Sequence, residues 1–271
     1  MVENSLNQPL VFLKLGGSLI TDKAHPHTHL PSVLNRIAEE IAAAWEQLPD
    51  MRLLLGHGSG SFGHVPGLKY GTRQGVNTPR DWGGYAEVWS EARALNQLVV
   101  EALQSVSLPV IAFPPSAGAL ACDGQLMEWD IRPIQRALEQ RLLPLVNGDV
   151  AFDTERGGTI LSTEEVFRFL ARQLHPQRIL LAGTEAGVWA DYPRRNALAR
   201  EITPGNYAQL VKAIEGSQAT DVTGGMFAKV RSMLDLIQQD PNLEVWIFSG
   251  RNPDSIHQAI IGETTGTRIH S

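Results

Sequence analysis

Cysteine is almost missing from this chain: Cys122 is the only one in 271 residues. A lone thiol forms no intrachain disulfide, so a disulfide-stapled scaffold is excluded and a reducing, cytoplasmic setting is expected. Set among small residues, Cys122 reads as filler rather than as a nucleophile. Long apolar runs are missing too, since none approaches the roughly 20 residues that a membrane-spanning helix needs. The opening stretch MVENSLNQP has neither the basic start nor the apolar core of a signal peptide and is expected to be a loose tail. Basic excess is lacking, with a net charge of −6 and both signs scattered, so neither nucleic acid nor an anionic membrane is expected as the main partner. Repeats and low-complexity stretches are absent. So are a Walker A loop and a Gly-x-Gly-x-x-Gly fingerprint followed by its acidic residue, which disfavours a dinucleotide fold.

What is present is a chain with 43% hydrophobic and 19% charged residues, enough for a large core and incompatible with disorder. Short apolar runs alternate with helical periodicity. Strands are predicted at Leu10 to Leu15, Arg52 to Leu55, Pro109 to Phe113, Leu142 to Asn147, Arg178 to Ala182 and Glu244 to Ser249. Helices are predicted at Ser32 to Leu48, Tyr85 to Val106, Ile131 to Arg141, Thr163 to Leu174, Tyr207 to Ile214 and Met226 to Gln238. Val150 to Asp153 and Gly158 to Leu161 read as a β-hairpin. Strand and helix in alternation imply an α/β fold whose mainly parallel sheet is covered on both faces.

Three segments at element ends are built for anions. In Lys14-Leu15-Gly16-Gly17-Ser18 a cation ends the first strand, before glycines whose N–H groups stay open to an oxyanion. The second, His57-Gly58-Ser59-Gly60-Ser61-Phe62-Gly63-His64, is a dense glycine loop in which amides, the Ser59 and Ser61 hydroxyls and the His64 imidazole can converge. The third, Asp221-Val222-Thr223-Gly224-Gly225-Met226, opens a helix with Lys229 one turn inside. Each also has a plain reading: a tight turn, a surface loop, a capped helix with a solvated lysine. Their joint occurrence where α/β sheets bind ligands favours a phosphate site.

These strings, with Lys23 after the first and Asn147-Gly148-Asp149 opening the hairpin, resemble the isopentenyl phosphate kinases of the amino acid kinase superfamily, in order along nearly the whole chain. The Gly-Ser-Phe-Gly-His ending is the sharper part, a histidine feature shared with fosfomycin kinases and generally not with acetylglutamate, aspartate or uridylate kinases. The resemblance implies an open αβα sandwich of the amino acid kinase fold. It implies an N-terminal lobe over residues 1–175 for the acceptor and for dimerisation, a C-terminal lobe over 176–271 for ATP, and a homodimer. It also implies ATP-dependent phosphorylation of isopentenyl phosphate to the diphosphate, a step of isoprenoid synthesis linked to the mevalonate pathway, with ATP and Mg²⁺ and no side chain assigned to the metal.

By the same resemblance, Lys14 and Lys229 contact the transferring phosphoryl group and Lys23 stabilises the transition state. Gly16, Gly17, Ser18, Gly60, Thr184, Asp191, Gly224 and Gly225 line the nucleotide. Ser59, Gly60, His64, Asp149 and Gly158 bind the acceptor. Two positions depart from the pattern. Gly58-Ser59-Gly60 stands where three glycines are usual, and Ser162-Thr163-Glu164 where Ser-Gly-Asp is usual, so Glu164, one methylene longer, would organise the lysines. Glu164 also reads as mere helix N-terminal charge with Ser162 or Thr163 as cap.

A phosphate-monoester acceptor, whose second pKa is about 6, needs no general base. His64 then fits as a donor to the acceptor phosphate, and an apolar tail would lie among Tyr70, Trp82, Tyr85, Val88 and Trp89, which equally read as core. The alternatives are a kinase of the same fold acting on another small phosphate or a phosphonate such as fosfomycin, and a non-enzymatic nucleotide- or oxyanion-binding protein.

Overall fold

Leu10 to Leu15 is a continuous apolar run broken by one lysine, and the strand's two-residue period decides where that lysine goes. The computed structural model describes residues 9–215 and 223–271; the tail through residue 8, together with Asp221 and Val222, lies outside the described residues. The first half of the chain forms β1 (Leu10–Leu15), α1 (Gly17–Ile20), α2 (Pro31–Gln47), β2 (Arg52–His57), α3 (Gly60–Tyr70), α4 (Pro79–Ser105) and β3 (Val110–Ala112). Then come β4 (Leu120–Cys122), β5 (Gln125–Glu128), α5 (Arg132–Glu139), β6 (Leu143–Asn147), β7 (Asp149–Asp153), β8 (Gly157–Leu161) and α6 (Thr163–Leu174). The remainder forms β9 (Arg178–Gly183), β10 (Glu201–Ile202), α7 (Tyr207–Glu215), α8 (Thr223–Gln239), β11 (Glu244–Ser249), α9 (Ser255–Ile261) and β12 (Thr267–Ile269).

Eight strands make one sheet in the order β10-β12-β11-β9-β1-β2-β6-β3. Pairing is parallel except between β11 and β12, so the expected mainly parallel sheet is present. β1 is central and wholly buried. Its odd positions Val11, Leu13 and Leu15 pack with α2, α4 and α9 on one face, and Leu10 and Phe12 pack with α5, α6 and α8 on the other. Lys14 is an even position, so it points to the side of α6, whose Phe167 meets Phe12 edge-on at 5.1 Å. The division expected after residue 175 falls between β1 and β9, which are hydrogen-bonded neighbours in one continuous sheet.

Most predicted elements occur within a few residues of their expected bounds, and the structure corrects three of them. The segment from His57 to His64 is no free loop, because α3 begins at Gly60 and carries His64. The long helix starts at Pro79, where Thr78 and Asp81 form a capping box, so Trp82 is helical. The last long helix starts at Thr223. A second sheet, β5-β4-β7-β8, contains the foreseen β7–β8 hairpin and an unforeseen one, β4–β5. That turn is Asp123-Gly124, with φ of 48° and 76°, a recognisable hairpin signal between strands too short and mixed to show alternation. Among the described residues no helix is long and apolar enough to cross a membrane.

Candidate active site

The carboxyl ends of β1, β2, β6, β9 and β11 lie at one edge of the sheet, where the glycine segments emerge. The first two segments interlock. Gly58 N–H donates to the Leu15 carbonyl at 3.0 Å, and Gly16 N–H donates to the Ala182 carbonyl at 2.8 Å. A Cβ on Gly17 would stand 2.3 Å from the Gly60 nitrogen. Gly60, at φ +50°, would place one 2.1 Å from the Thr21 hydroxyl oxygen. Glycine at these positions is therefore required by backbone meeting backbone. Gly225 differs: among the described residues no heavy atom lies within 4 Å of where its Cβ would be, and the same holds for Gly183 beside Thr184. Gly224 shares the first turn of α8 with Gly225.

Glu164 sits between two lysines from elements far apart in sequence. Its Oε1 lies 2.6 Å from Lys14 Nζ and 3.3 Å from Lys229 Nζ, and the Glu164 side chain is only 18% exposed. Burial works against its charge, yet the two lysines hold its pKa down at about 2. Burial, helped by the Lys229 charge, lowers the Lys14 pKa, and Glu164 partly restores it. The Glu164 carboxylate is thus ionised at neutral pH and lies between two lysines that would otherwise face each other directly.

The adjacent Glu165 leaves Glu164 free for this. Ser162 is the N-cap of α6: its hydroxyl accepts from Glu165 N–H at 3.2 Å, while the Glu165 carboxylate accepts from Ser162 N–H at 2.6 Å. Glu165 also pairs with Arg73 at 2.8 Å. Capping thus belongs to Ser162 and Glu165, a division of labour invisible in two consecutive glutamates.

The other expected residues distribute unevenly. Lys23 is exposed on a loop closed by the Thr21–His29 bridge, and among the described residues it makes no ion pair. Ser18 is half-buried in α1, and the Ser59 side chain covers Gly63 at the start of α3. The His64 side chain lies outside the described residues. His57 is buried against Asn96 of α4, with Nε2 and Oδ1 3.0 Å apart, and burial pushes its pKa down, so it is a neutral structural group. The Asp191 carboxylate accepts from the Asn196 and Ala197 amides, both at 3.1 Å, and so clasps its own loop. Gly158 lies against a residue expected to be only apolar. Tyr85 packs its ring 3.0 Å from a Cβ position on Gly158. The buried Tyr85 hydroxyl has no hydrogen-bond partner among the described residues, and its pKa is pushed up to about 12 by burial and then by Asp149. Asp149 accepts from Ser116 N–H at 3.2 Å, and burial raises its pKa.

A cation pair braced by one carboxylate, with Lys14 at a strand end of a parallel sheet and Lys229 on α8, suits phosphoryl transfer. The model of the amino acid kinase family matches residues 9–249. The chain belongs to the amino acid kinase family. Within that family it is similar to the isopentenyl phosphate kinase of Methanocaldococcus jannaschii, 31% identical with 96% of this chain and 98% of that protein covered. It is also similar to the isopentenyl phosphate kinase of Haloferax volcanii, 34% identical with the same coverage. Among solved structures, an isopentenyl phosphate kinase superposes with a TM-score of 0.81 at 28% identity, covering 96% of this chain and 99% of the other. In this member of the family the carboxylate that bridges Lys14 and Lys229 is that of Glu164.

Proposed function

We propose that this chain transfers the γ-phosphoryl group of ATP to isopentenyl phosphate, giving isopentenyl diphosphate and ADP. The observation that carries this reading is the near-full-length likeness to isopentenyl phosphate kinases. The braced lysine pair supports it chemically. An acceptor phosphate with a second pKa of about 6 is already a nucleophile at neutral pH, so alignment and positive charge are the whole task.

Lys14 and Lys229 take up the charge of the transferring group, and Glu164 lies between them and braces both. Lys23, on its exposed loop, reaches the same group from the acceptor side. Ser59, Gly60 and His64 at the head of α3 hold the acceptor phosphate, with Asp149, Gly158 and Tyr85 toward its tail. Thr184, beside Gly183, and Gly224, beside Gly225, line the nucleotide, with Gly16, Gly17 and Ser18 facing its phosphates and Asp191 shaping the loop beside it. Among the described residues no group of three or more acidic, histidine or cysteine side chains could hold a metal ion. Mg²⁺ would enter with the nucleotide phosphates and would supply charge neutralisation there. Residues 1–175 would provide the acceptor side and a dimer contact, and 176–271 the nucleotide side, in a cytoplasmic homodimer.

ADP release is measured with ATP and, in turn, isopentenyl phosphate, dimethylallyl phosphate and fosfomycin. Turnover of isopentenyl phosphate is expected. Turnover of fosfomycin alone would replace the acceptor, and ATP binding without ADP release on any acceptor would favour a binding protein.

A further inference from the structure

We propose that Thr163 is a positioning residue for the reaction: its hydroxyl bond to the His57 carbonyl sets the start of α6 so that Glu164 bridges Lys14 and Lys229. This rests on the reading of the lysine pair as the phosphoryl-transfer centre.

Thr163 is buried, 1% exposed, at the first position of α6, and its Oγ1 donates to the His57 carbonyl at 2.6 Å. Its methyl carbon lies 2.7 Å from where a Cβ on Gly56 would be, so the helix start sits directly on a strand residue that lacks a side chain. Gly56 is the cross-strand partner of Lys14 in the β1–β2 register. The contact therefore ties the residue before Glu164 to the backbone beside the lysine that Glu164 touches. The capping box and the Arg73 pair hold the same turn through Glu165 but reach neither lysine. A glutamate has more rotamers to lose than a shorter acid, so a fixed helix start is what confines its carboxylate between two cations.

The ionisable groups near Glu164 are Lys14 from β1, Lys229 from α8 and Glu165 and Arg73 at the cap, with His57 of β2 held neutral by burial. If the bridge loosens, Lys14 keeps the burial that lowers its pKa and loses the partner that raises it. Its charge is then lost at lower pH than in the wild type.

The test compares purified full-length wild type, Thr163→Val, Thr163→Ser and Glu164→Gln. Valine keeps the shape and removes the donor. The His57 carbonyl retains the Gly148 N–H at 3.1 Å, so folding should survive, as a thermal melt checks. Thr163→Val is expected to lower kcat by about ten- to a hundredfold, the scale of a misplaced catalytic group, with both KM values nearly unchanged. The alkaline limb of its kcat profile should move to lower pH, in the direction of Glu164→Gln, and Thr163→Ser should recover most of the rate. A wild-type kcat and pH profile for Thr163→Val, or a loss in Thr163→Ser as large as in Thr163→Val, would overturn the assignment in favour of simple packing. The acceptor used is whichever phosphorylated compound the wild type turns over. Failure with isopentenyl phosphate thus overturns the substrate and leaves the Thr163 comparison standing.

Discussion

Gly17 and Gly60 sit in interlocked turns where a methyl group would strike backbone, whereas at Gly183 and Gly225 a methyl group would meet no atom within 4 Å among the described residues. The same residue type does opposite work in the two regions. In the first, glycine lets two chain segments close on each other and builds a rigid floor. In the second, a methyl group would meet open space, which fits the nucleotide side proposed above. A glycine-rich string signals close approach without saying whether the neighbour is protein or ligand.

The comparison can be broken most forcefully at Gly60. Gly60→Ala combines a left-handed φ with a clash against Thr21, so a stability loss of about 3 kcal/mol or more is expected in denaturant unfolding. Stability close to wild type would mean that the turns are not locked. Lys229→Ala should leave folding nearly intact and cut kcat by roughly a hundredfold, the scale of one lost charge-stabilising donor; an almost normal rate would remove Lys229 from the site. His64→Ala should raise the acceptor KM by about tenfold, as for one lost charge-assisted hydrogen bond. Its ATP affinity should be unaffected, and the reverse pattern would move His64 to the nucleotide side. Gly225→Ala is the mildest: stability within about 0.5 kcal/mol of wild type, with a raised KM for ATP as its only defect.

A pH experiment sharpens the contrast from the side of the charges. The Glu164 pKa is depressed from 4.5 to about 2, so its stabilising contribution is present above the ordinary value and is lost as pH falls toward 2. The stability difference between wild type and Glu164→Gln should therefore be the same at pH 7 as at pH 5, and should shrink only in stronger acid. A difference that already vanishes near pH 5 would show the bridge to be absent in solution.

Much of the frame was legible because burial writes itself as pattern. The runs at β1, β2, β6, β9 and β11 are apolar because both faces of a parallel sheet are covered. Lys14 stood out because it interrupts such a run at its carboxyl end. β4 and β5 were missed since three or four residues of mixed polarity carry no period, although Asp123-Gly124 marked their turn. Tyr85 was read as apolar lining, and its buried hydroxyl, whose pKa burial and the Asp149 charge raise, had no signal in helical spacing.

The sequence by itself determined the order of the long strands and helices, the even-numbered face on which Lys14 lies, and the family, since these depend on local period and on ordered motifs. Tertiary structure alone decided which glycines are closed and which open. It alone decided that Glu165 caps α6 while Glu164 joins β1 to α8. Both outcomes depend on what a distant segment places within 3 or 4 Å, and local spacing carries no record of that distance.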